Sequence, residues 1–289
     1  MAATIAPESI ENALRSAAAR IHGRSDSPRL DAEVLLAKVL GVTRAGLIAR
    51  GGQALQACEA AVFAGLVAQR ISGTPVAYLT QCREFWSMPL LVTPAVLVPR
   101  PETETLVELL LELAPADSVR SVVDLGTGSG AVALSVAGER PRWHVTATDL
   151  SPDALAIAQQ NSVNLRISNI EWRLGSWFDA LPGRRFDFIV SNPPYIAAGD
   201  PLLTALSAEP LLALSPGVTG LEALQQIVAQ APGHLTAGGS LLLEHGHDQS
   251  SAVQQLLRRQ NFHSIRSCLD LSGKTRITLG TLHTTSGNL

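Results

Sequence analysis

The stretch that decides the fold is Ser121-Val122-Val123-Asp124-Leu125-Gly126-Thr127-Gly128-Ser129-Gly130, which is followed by the small apolar run Ala131-Val132-Ala133-Leu134. Its first five residues are mainly apolar, as in a buried strand, and the run after the last glycine is typical of a helix. Between them, three glycines at alternate positions permit a tight turn and a close approach of the backbone to a ligand. The stretch predicts a strand, a ligand-binding turn and a helix whose first N–H groups are free.

Outward from this turn, strand-like and helix-like segments alternate. Strands are expected near 120–125, 143–148, 170–174, 186–191 and 239–244, and helices over 103–114, 130–138, 152–164, 219–231 and 249–260. Such alternation builds an α/β domain with a mostly parallel sheet covered on both faces. Two last strand-like runs, 263–269 and 275–282, are joined by a turn too short for a crossover helix, so the final strand should run antiparallel to the rest.

The residues before this domain have a different pattern. Over residues 8–72 apolar side chains recur at helical spacing, as in Ile10, Leu14, Ala18 and Ile21, which indicates a small bundle of four or five helices. From Phe85 to Val98 the residues become apolar and β-branched, broken by two prolines, which suggests a short hairpin. We therefore expect a helical domain over 1–80, a hairpin linker over 81–98 and the α/β domain over 99–289.

Composition limits the function classes. The chain has 289 residues, of which 46% are hydrophobic, and 22 Lys and Arg against 25 Asp and Glu give a net charge of -3. No global basic field draws it onto nucleic acid. The three scattered cysteines argue against a disulfide framework and a metal site, and the first ten residues lack the basic start of a leader. We expect no metal, no membrane association and a cytoplasmic location.

The glycine turn fits two kinds of nucleoside cofactor. Gly126, Gly128 and Ala131 satisfy the dinucleotide-binding pattern G-x-G-x-x-[G/A], with Asp149 about 20 residues further on. Asp124 favours S-adenosylmethionine over NAD, because a buried carboxylate there can hold the ammonium group of an amino-acid-bearing cofactor and would repel a pyrophosphate. The cofactor-binding residues expected are Asp124, Gly126, Thr127, Gly128, Ser129, Gly130, Asp149, Trp177 and Asn192. Among these, Asp149 is expected to accept the ribose hydroxyls, with helix capping as the alternative, and Trp177 to face the adenine.

The second informative motif is Asn192-Pro193-Pro194-Tyr195, directly after the strand-like run 186–191. Ligands of open α/β sheets bind at such carboxyl ends of strands. An amide nitrogen is a poor nucleophile because its lone pair is delocalised. The Asn192 side-chain oxygen and the Pro193 carbonyl can each accept one N–H, which leaves that lone pair aimed at the methyl donor. Two prolines stiffen the loop, and Tyr195 can lie against the planar amide. The motif predicts methyl transfer to an amide or exocyclic amino nitrogen, with Asn192, Pro193 and Tyr195 as catalytic residues and Asn192 to Tyr195 as the substrate pocket.

Nearly the whole chain resembles the peptide-chain release factor glutamine methyltransferases, also called HemK or PrmC. The similar segments are 74–79, 84–86, Val98-Pro99-Arg100-Pro101-Glu102-Thr103-Glu104, the glycine turn, 191–196 and 241–246. The resemblance implies a Rossmann-like class I methyltransferase domain, S-adenosylmethionine as cofactor and a helical N-terminal domain that docks the substrate. That substrate would be the glutamine in the Gly-Gly-Gln loop of class I release factors, which act in translation termination.

Some residues depart from the family pattern. Ser176 stands where members often have Asp, Gln81 where Gly is common, and Ser207-Ala208 where Arg-Phe often precedes the Glu-Pro pair. These departures bear on cofactor affinity and substrate fit.

Two other functions remain open: an adenine methyltransferase acting on nucleic acid, and a silent cofactor-binding scaffold.

The tripeptide Gly-Gly-Gln, which the release factor glutamine methyltransferases modify, also occurs in this chain as Gly51-Gly52-Gln53. We interpret it as a helix-ending turn. The histidines of Glu244-His245-Gly246-His247-Asp248 are expected in a mobile loop at the end of a strand, without a metal.

Overall fold

A computed structural model describes residues 8–283 of the chain. The chain divides into two compact units, with the division between Cys82 and Arg83. Residues 1–7, on which the expectation of no leader partly rested, lie outside the described residues.

The regular elements of the first unit, over residues 8–82, are helices. These are α1 (Ile10–Ile21), α2 (Pro28–Leu40), α3 (Arg44–Ala49), α4 (Ala57–Ile71) and α5 (Val76–Thr80). Ser9 caps α1 through its side chain, and α2 begins at a proline and ends at Gly41 in the left-handed conformation. One apolar face of each longer helix packs into a shared core that includes Leu14, Leu35 and Val67. The predicted helical bundle is confirmed, with five helices among the residues of this unit that the structure describes.

The second unit opens with a short hairpin of β1 (Arg83–Phe85) and β2 (Met88–Leu90). It is shorter than predicted and begins earlier. Residues 91–98 form no strand, since Pro94 and the turn beside it interrupt the pairing. Trp86 and Ser87 both have positive φ, as a two-residue hairpin turn of this kind requires. The hairpin belongs to the second unit.

The remaining elements of the second unit alternate as predicted. The strands are β3 (Ser121–Leu125), β4 (His144–Asp149), β5 (Ile170–Leu174), β6 (Phe186–Ser191), β7 (Leu235–Glu244), β8 (Phe262–Leu269) and β9 (Thr275–Leu282). The helices are α6 (Glu104–Glu112), α7 (Ala131–Glu139), α8 (Pro152–Leu165), α9 (Pro201–Ala205), α10 (Glu222–His234) and α11 (Ser250–Arg259). Of these, α9 and a 3-10 turn at Leu211–Ala213 were not predicted.

These strands form one seven-stranded sheet in the order β5-β4-β3-β6-β7-β9-β8. Strands β5, β4, β3, β6 and β7 pair in parallel, whereas β9 pairs antiparallel with both β7 and β8. The prediction that the last strand is antiparallel is confirmed. Alternate side chains of β3 enter opposite cores: Val122 packs in the core that contains α6 and α7, and Val123 in the core that contains α10 and α11. Helices therefore cover both faces of the sheet.

Candidate active site

A cavity of about 410 Å³ lies at the carboxyl ends of β3, β4 and β6. In a doubly wound sheet this edge is where ligands bind, because the loops diverge at the point where strand order reverses. Of the residues predicted to bind a cofactor, those that line the cavity are Asp124, Gly126, Thr127, Gly128, Ser129, Asp149, Trp177 and Asn192. Pro194 lines it as well, and Pro193 and Tyr195 face a neighbouring cavity described below.

Gly130 is the predicted cofactor residue that does not line this cavity. It caps α7 with φ of 82°, and a Cβ there would lie 3.0 Å from Leu134 Cδ1 and 3.2 Å from the Ala158 Cβ of α8. The third glycine of the turn therefore permits close packing of two helices, and the first two shape the cavity wall.

Asp124 is buried at the end of β3, where its carboxylate accepts a hydrogen bond of 2.6 Å from the Thr127 hydroxyl. Burial raises its pKa to about 7, although the hydrogen bonds from Thr127 and the Ala133 backbone favour the ionised form. A cation placed in the cavity beside Asp124 would favour that ionised form further. The site thus suits the ammonium group of an amino acid.

Asp149, at the end of β4, holds the glycine loop. One carboxylate oxygen accepts the Gly128 N–H at 2.8 Å and the other accepts the Ser151 N–H at 2.9 Å. The side-chain cap of α8 is Ser151, whose hydroxyl accepts the Ala154 N–H. Each Asp149 oxygen can accept a further hydrogen bond, so the carboxylate shapes the loop and still offers acceptors to a ligand hydroxyl.

Trp177 packs its ring against the glycine turn. A Cβ at Gly126 would lie 3.1 Å from Trp177 Cζ3, which leaves room for glycine alone. The indole N–H donates to Gln226 at 3.1 Å, which fixes the ring plane at the cavity wall. Ser176, one of the departures from the family pattern, lines the same cavity.

The loop after β6 is held from three directions. The Ser191 hydroxyl donates to the Leu125 carbonyl at 2.7 Å, which joins β6 to β3 at the site. The Gln249 side chain donates to the Tyr195 carbonyl at 3.0 Å. The Asn192 Nδ2 atom donates to the Thr103 hydroxyl at 3.1 Å. Because its nitrogen is bound to Thr103, the Asn192 amide points its oxygen away from Thr103.

A second cavity of about 250 Å³ adjoins the same loop. Its polar lining comes from Arg100, Glu102, Asn192, Tyr195, Glu244 and Arg276, and its apolar lining includes Leu97, Leu202, Leu206 and Leu214. Burial raises the pKa of Tyr195 to about 12, so this phenol is neutral at physiological pH. Asn192 lines both cavities and therefore stands at the boundary between them.

Sequence reasoning assigned no role to Thr103, Glu244 or Arg100. The structure brings all three to this loop: Thr103 bonds Asn192, Glu244 ends β7 beside them, and Arg100 pairs with buried Glu209 at 2.5 Å. The sequence does point to Thr103 and Arg100, since both fall in the stretch 98–104 that resembles the family. Glu244 ends a buried parallel strand, at the same edge of the sheet as Asn192.

The expectation of loop histidines after this strand is wrong for His245, which is buried like the strand's last residue Glu244, whereas His247 is exposed in a turn. The His245 Nε2 atom lies 2.7 Å from the Thr278 hydroxyl of β9. Burial lowers the pKa of His245. The reason is topological: β7 is an internal strand, and β9 covers its end. The turn prediction for Gly51-Gly52-Gln53 is confirmed, and the Gln53 carbonyl there accepts the Ile10 N–H.

Among residues 8–283, no helix is both long and apolar enough to cross a bilayer.

Comparison with known proteins agrees with this geometry. Residues 12–80 match the family model of the PrmC N-terminal domain, and residues 102–267 match the methyltransferase small domain. The chain is 47% identical over 258 residues to the release factor glutamine methyltransferase of Salmonella typhimurium, covering 89% of this chain and 93% of that protein. It is 44% identical over 269 residues to the protein of the same name from Escherichia coli K12, covering 92% and 96%.

Solved structures show the fold. A methyltransferase from Pyrococcus furiosus has a TM-score of 0.54 at 17% identity, covering 75% of this chain and 97% of that one. The T. thermophilus 16S rRNA N2 G1207 methyltransferase, solved in complex with AdoMet and guanosine, has a TM-score of 0.53 at 20% identity, covering 70% and 50%. The fold is that of class I methyltransferases, as predicted. From the identity and coverage of its relatives, the chain belongs to the family of release factor glutamine methyltransferases.

Proposed function

We propose that the protein transfers a methyl group from S-adenosylmethionine to the side-chain amide nitrogen of the glutamine in the Gly-Gly-Gln loop of class I release factors. Family membership supports this activity, because relatives that are 44–48% identical over most of the chain are named release factor glutamine methyltransferases. The matched methyltransferase domain supports S-adenosylmethionine as the methyl donor.

The observation that carries the proposal is the position and orientation of Asn192. It stands between a larger cavity with a nucleoside-binding turn and a smaller cavity with a partly apolar wall. Its Nδ2 atom donates to Thr103, so Oδ1 is free to accept an N–H from a substrate amide. A methyl donor in one cavity and an amide in the other would meet at this side chain.

The larger cavity suits S-adenosylmethionine by the chemistry of its polar groups. Asp124 would hold the ammonium group, Asp149 would accept the ribose hydroxyls with its remaining lone pairs, and the Trp177 ring would lie against adenine. Gly126 and Gly128 keep the turn clear of side chains. When bound, the cofactor supplies an electrophilic methyl group on a sulfonium.

The Asn-Pro-Pro-Tyr loop would act on the substrate amide. The Asn192 Oδ1 atom and the Pro193 carbonyl would each accept one N–H, which favours a pyramidal nitrogen with its lone pair aimed at the methyl group. Tyr195 and Pro194 would bound the planar amide. No strong base is required, because the nitrogen becomes acidic as the new bond forms and loses its proton late.

Residues 1–80 would dock the body of the release factor, because a single glutamine side chain offers little binding surface. The protein would act in the cytoplasm, where translation terminates. The net charge of -3 supports a protein substrate over nucleic acid.

Incubation with S-adenosylmethionine and a purified class I release factor tests the proposal. Peptide mass spectrometry should find one added methyl group on the peptide that contains Gly-Gly-Gln, and none when its glutamine is replaced by alanine. An unmodified release factor, with methylated adenine in added nucleic acid, would identify the enzyme as an adenine methyltransferase. No transfer to either would indicate a scaffold.

A further inference from the structure

One buried acid near the site has no role in the chemistry above. Glu244 is 1% exposed at the end of β7, and its Oε2 atom has no hydrogen-bond partner among residues 8–283. A buried carboxylate without full hydrogen bonding is costly to stability. Its position therefore calls for a functional explanation.

Thr103 interacts with both Asn192 and Glu244. It accepts a hydrogen bond from Asn192 Nδ2 at 3.1 Å. The carboxyl group of Glu244 is close enough to the Thr103 hydroxyl and the Asn192 amide for both to stabilise its ionised form. A hydroxyl has a single hydrogen, so while Thr103 accepts from Asn192 that hydrogen is free to point at Glu244.

The charge of Glu244 sets the direction of this chain of hydrogen bonds. An ionised carboxylate only accepts, so a Thr103 hydroxyl that turns toward it donates its one hydrogen there and can only accept from Asn192. The flipped amide would place Oδ1 against Thr103 and compete with Glu244 for the one hydroxyl hydrogen. It would also turn Nδ2 toward the substrate, and an N–H group cannot accept the substrate N–H.

We propose that Glu244 is a positioning residue, which acts through Thr103 to hold the Asn192 amide with Oδ1 toward the methyl-accepting nitrogen. This inference rests on the proposed function. It adds a residue outside the Asn-Pro-Pro-Tyr loop that determines how that loop meets its substrate.

The surroundings of Glu244 make its charge responsive to pH. Burial raises the pKa of Glu244 to about 7, whereas the Thr103 hydroxyl, the Arg276 guanidinium and the Asn192 amide favour the ionised form and Glu102 opposes it. Tyr195 and Arg100 are the other charged or titratable side chains that line this cavity, and His245 follows Glu244 in the chain. A protonated Glu244 can donate to Thr103, so at low pH the hydrogen bonds lose their fixed direction.

The test compares Glu244→Gln, Thr103→Val and Thr103→Ser with wild type in single-turnover methylation of a release factor, with S-adenosylmethionine saturating. Glutamine fills the same volume but both donates and accepts, so it no longer fixes the direction of the hydrogen bonds that lead to Asn192. Valine at position 103 removes the hydroxyl that bonds Asn192, and serine retains that hydroxyl. Circular dichroism and calorimetry establish that each variant folds and binds the cofactor.

We expect Glu244→Gln and Thr103→Val to slow the methylation step by roughly 10- to 100-fold, because a misoriented group at the reacting centre costs about that much. Cofactor affinity and KM for the release factor should change little, and Thr103→Ser should recover most of the rate. The wild-type rate should rise with pH to a plateau above about 7, and Glu244→Gln should lack this rise.

Folded Glu244→Gln and Thr103→Val enzymes with the wild-type rate would overturn the inference while leaving the proposed function intact. Equal losses in Thr103→Val and Thr103→Ser would also overturn it, since packing and not the hydroxyl would then matter. If Glu244→Gln fails to fold, the two Thr103 variants decide alone. A wild-type enzyme inactive on every release factor would overturn the proposed function and this inference with it.

Discussion

The Asn192 side chain is fixed at one end only. Its nitrogen donates to Thr103, and its oxygen accepts no hydrogen bond from any of residues 8–283. A group held in this way is preorganised for a partner that arrives with the substrate, and it pays no reorganisation cost in the transition state.

We expect Asn192→Ala to lower kcat by roughly 100-fold or more, as for the loss of one preorganised polar group at a reacting centre. Asn192→Asp keeps acceptor oxygens but loses the donor to Thr103 and places a second acid near Glu244, so it too should be slow. Single-turnover kinetics measure both, with cofactor binding by calorimetry as the control. A raised KM with methyl transfer at wild-type speed would mean that Asn192 binds substrate without activating it.

Asp124 should make cofactor binding depend on pH. Burial raises its pKa to about 7 in the free protein. The ammonium group of the cofactor selects the ionised carboxylate, so below pH 7 binding must first remove a proton. Affinity for S-adenosylmethionine should therefore fall as pH falls below about 7, and by at most tenfold per pH unit, the limit for a single proton. Calorimetry between pH 5.5 and 8.5 would measure it; these two pH values are roughly 1.5 units either side of that pKa. The same dependence in Asp124→Asn would assign the effect to another group.

The Asn-Pro-Pro-Tyr loop depends on a glycine ahead of α10. Gly220 has φ of 76°, and a Cβ there would lie 2.5 Å from the Tyr195 carbonyl oxygen and 3.0 Å from the Ala197 nitrogen. Both are backbone atoms, so the loop itself must shift to make room. Gly183 has a similar φ of 70° with nothing within 4 Å of its Cβ position, which makes it a matched control.

Gly220→Ala should lower kcat by roughly tenfold or more, because it displaces the residues that orient the amide. Gly183→Ala should cost similar backbone strain, about 1 kcal/mol, with no effect on kcat. Thermal melts and steady-state kinetics on both variants separate the two effects. Equal kcat values would indicate that the loop tolerates the displacement.

Elements with strong local patterns were predictable, and those set by tertiary contacts were not. The alternation of strands and helices fixed the sheet, and the short connection before β9 fixed its direction. By contrast, α9 has only five residues, and the Leu211–Ala213 turn has only three.

The residues of the candidate site show the same difference between what a local pattern reveals and what a tertiary contact creates. Asp124, Asp149 and Asn192 stand at strand ends that sequence reveals, whereas the Thr103 contact joins residues 89 positions apart. Gln81 ends α5 in the left-handed conformation, with φ of 56°. Glycine adopts this conformation most readily, which explains why the family often has glycine at this position.

For the whole molecule, the division at Cys82 and Arg83 allows a direct test of docking. A chain beginning at Arg83 should bind S-adenosylmethionine as the full chain does, since every residue lining the larger cavity lies beyond that point. It should lose most of its kcat/KM on intact release factor, because remote contacts supply much of the binding energy. A short Gly-Gly-Gln peptide, which lacks those contacts, should react equally with both chains. Unchanged kcat/KM on the intact factor would exclude a docking role for residues 1–80.

The place of β9 in the sheet has a consequence for biosynthesis. This strand is the last one described in the chain, yet it lies inside the sheet, between β7 and β8. During synthesis the chain emerges with its N-terminus first, and domains fold as they emerge. Unpaired strand edges promote aggregation. Until β9 emerges, β7 has a bare edge, β8 has no neighbour and Glu244 and His245 lack their cover. The enzyme therefore cannot complete its own site before β9 has been synthesised, and a chain cut short between β8 and β9 would be left with an open sheet.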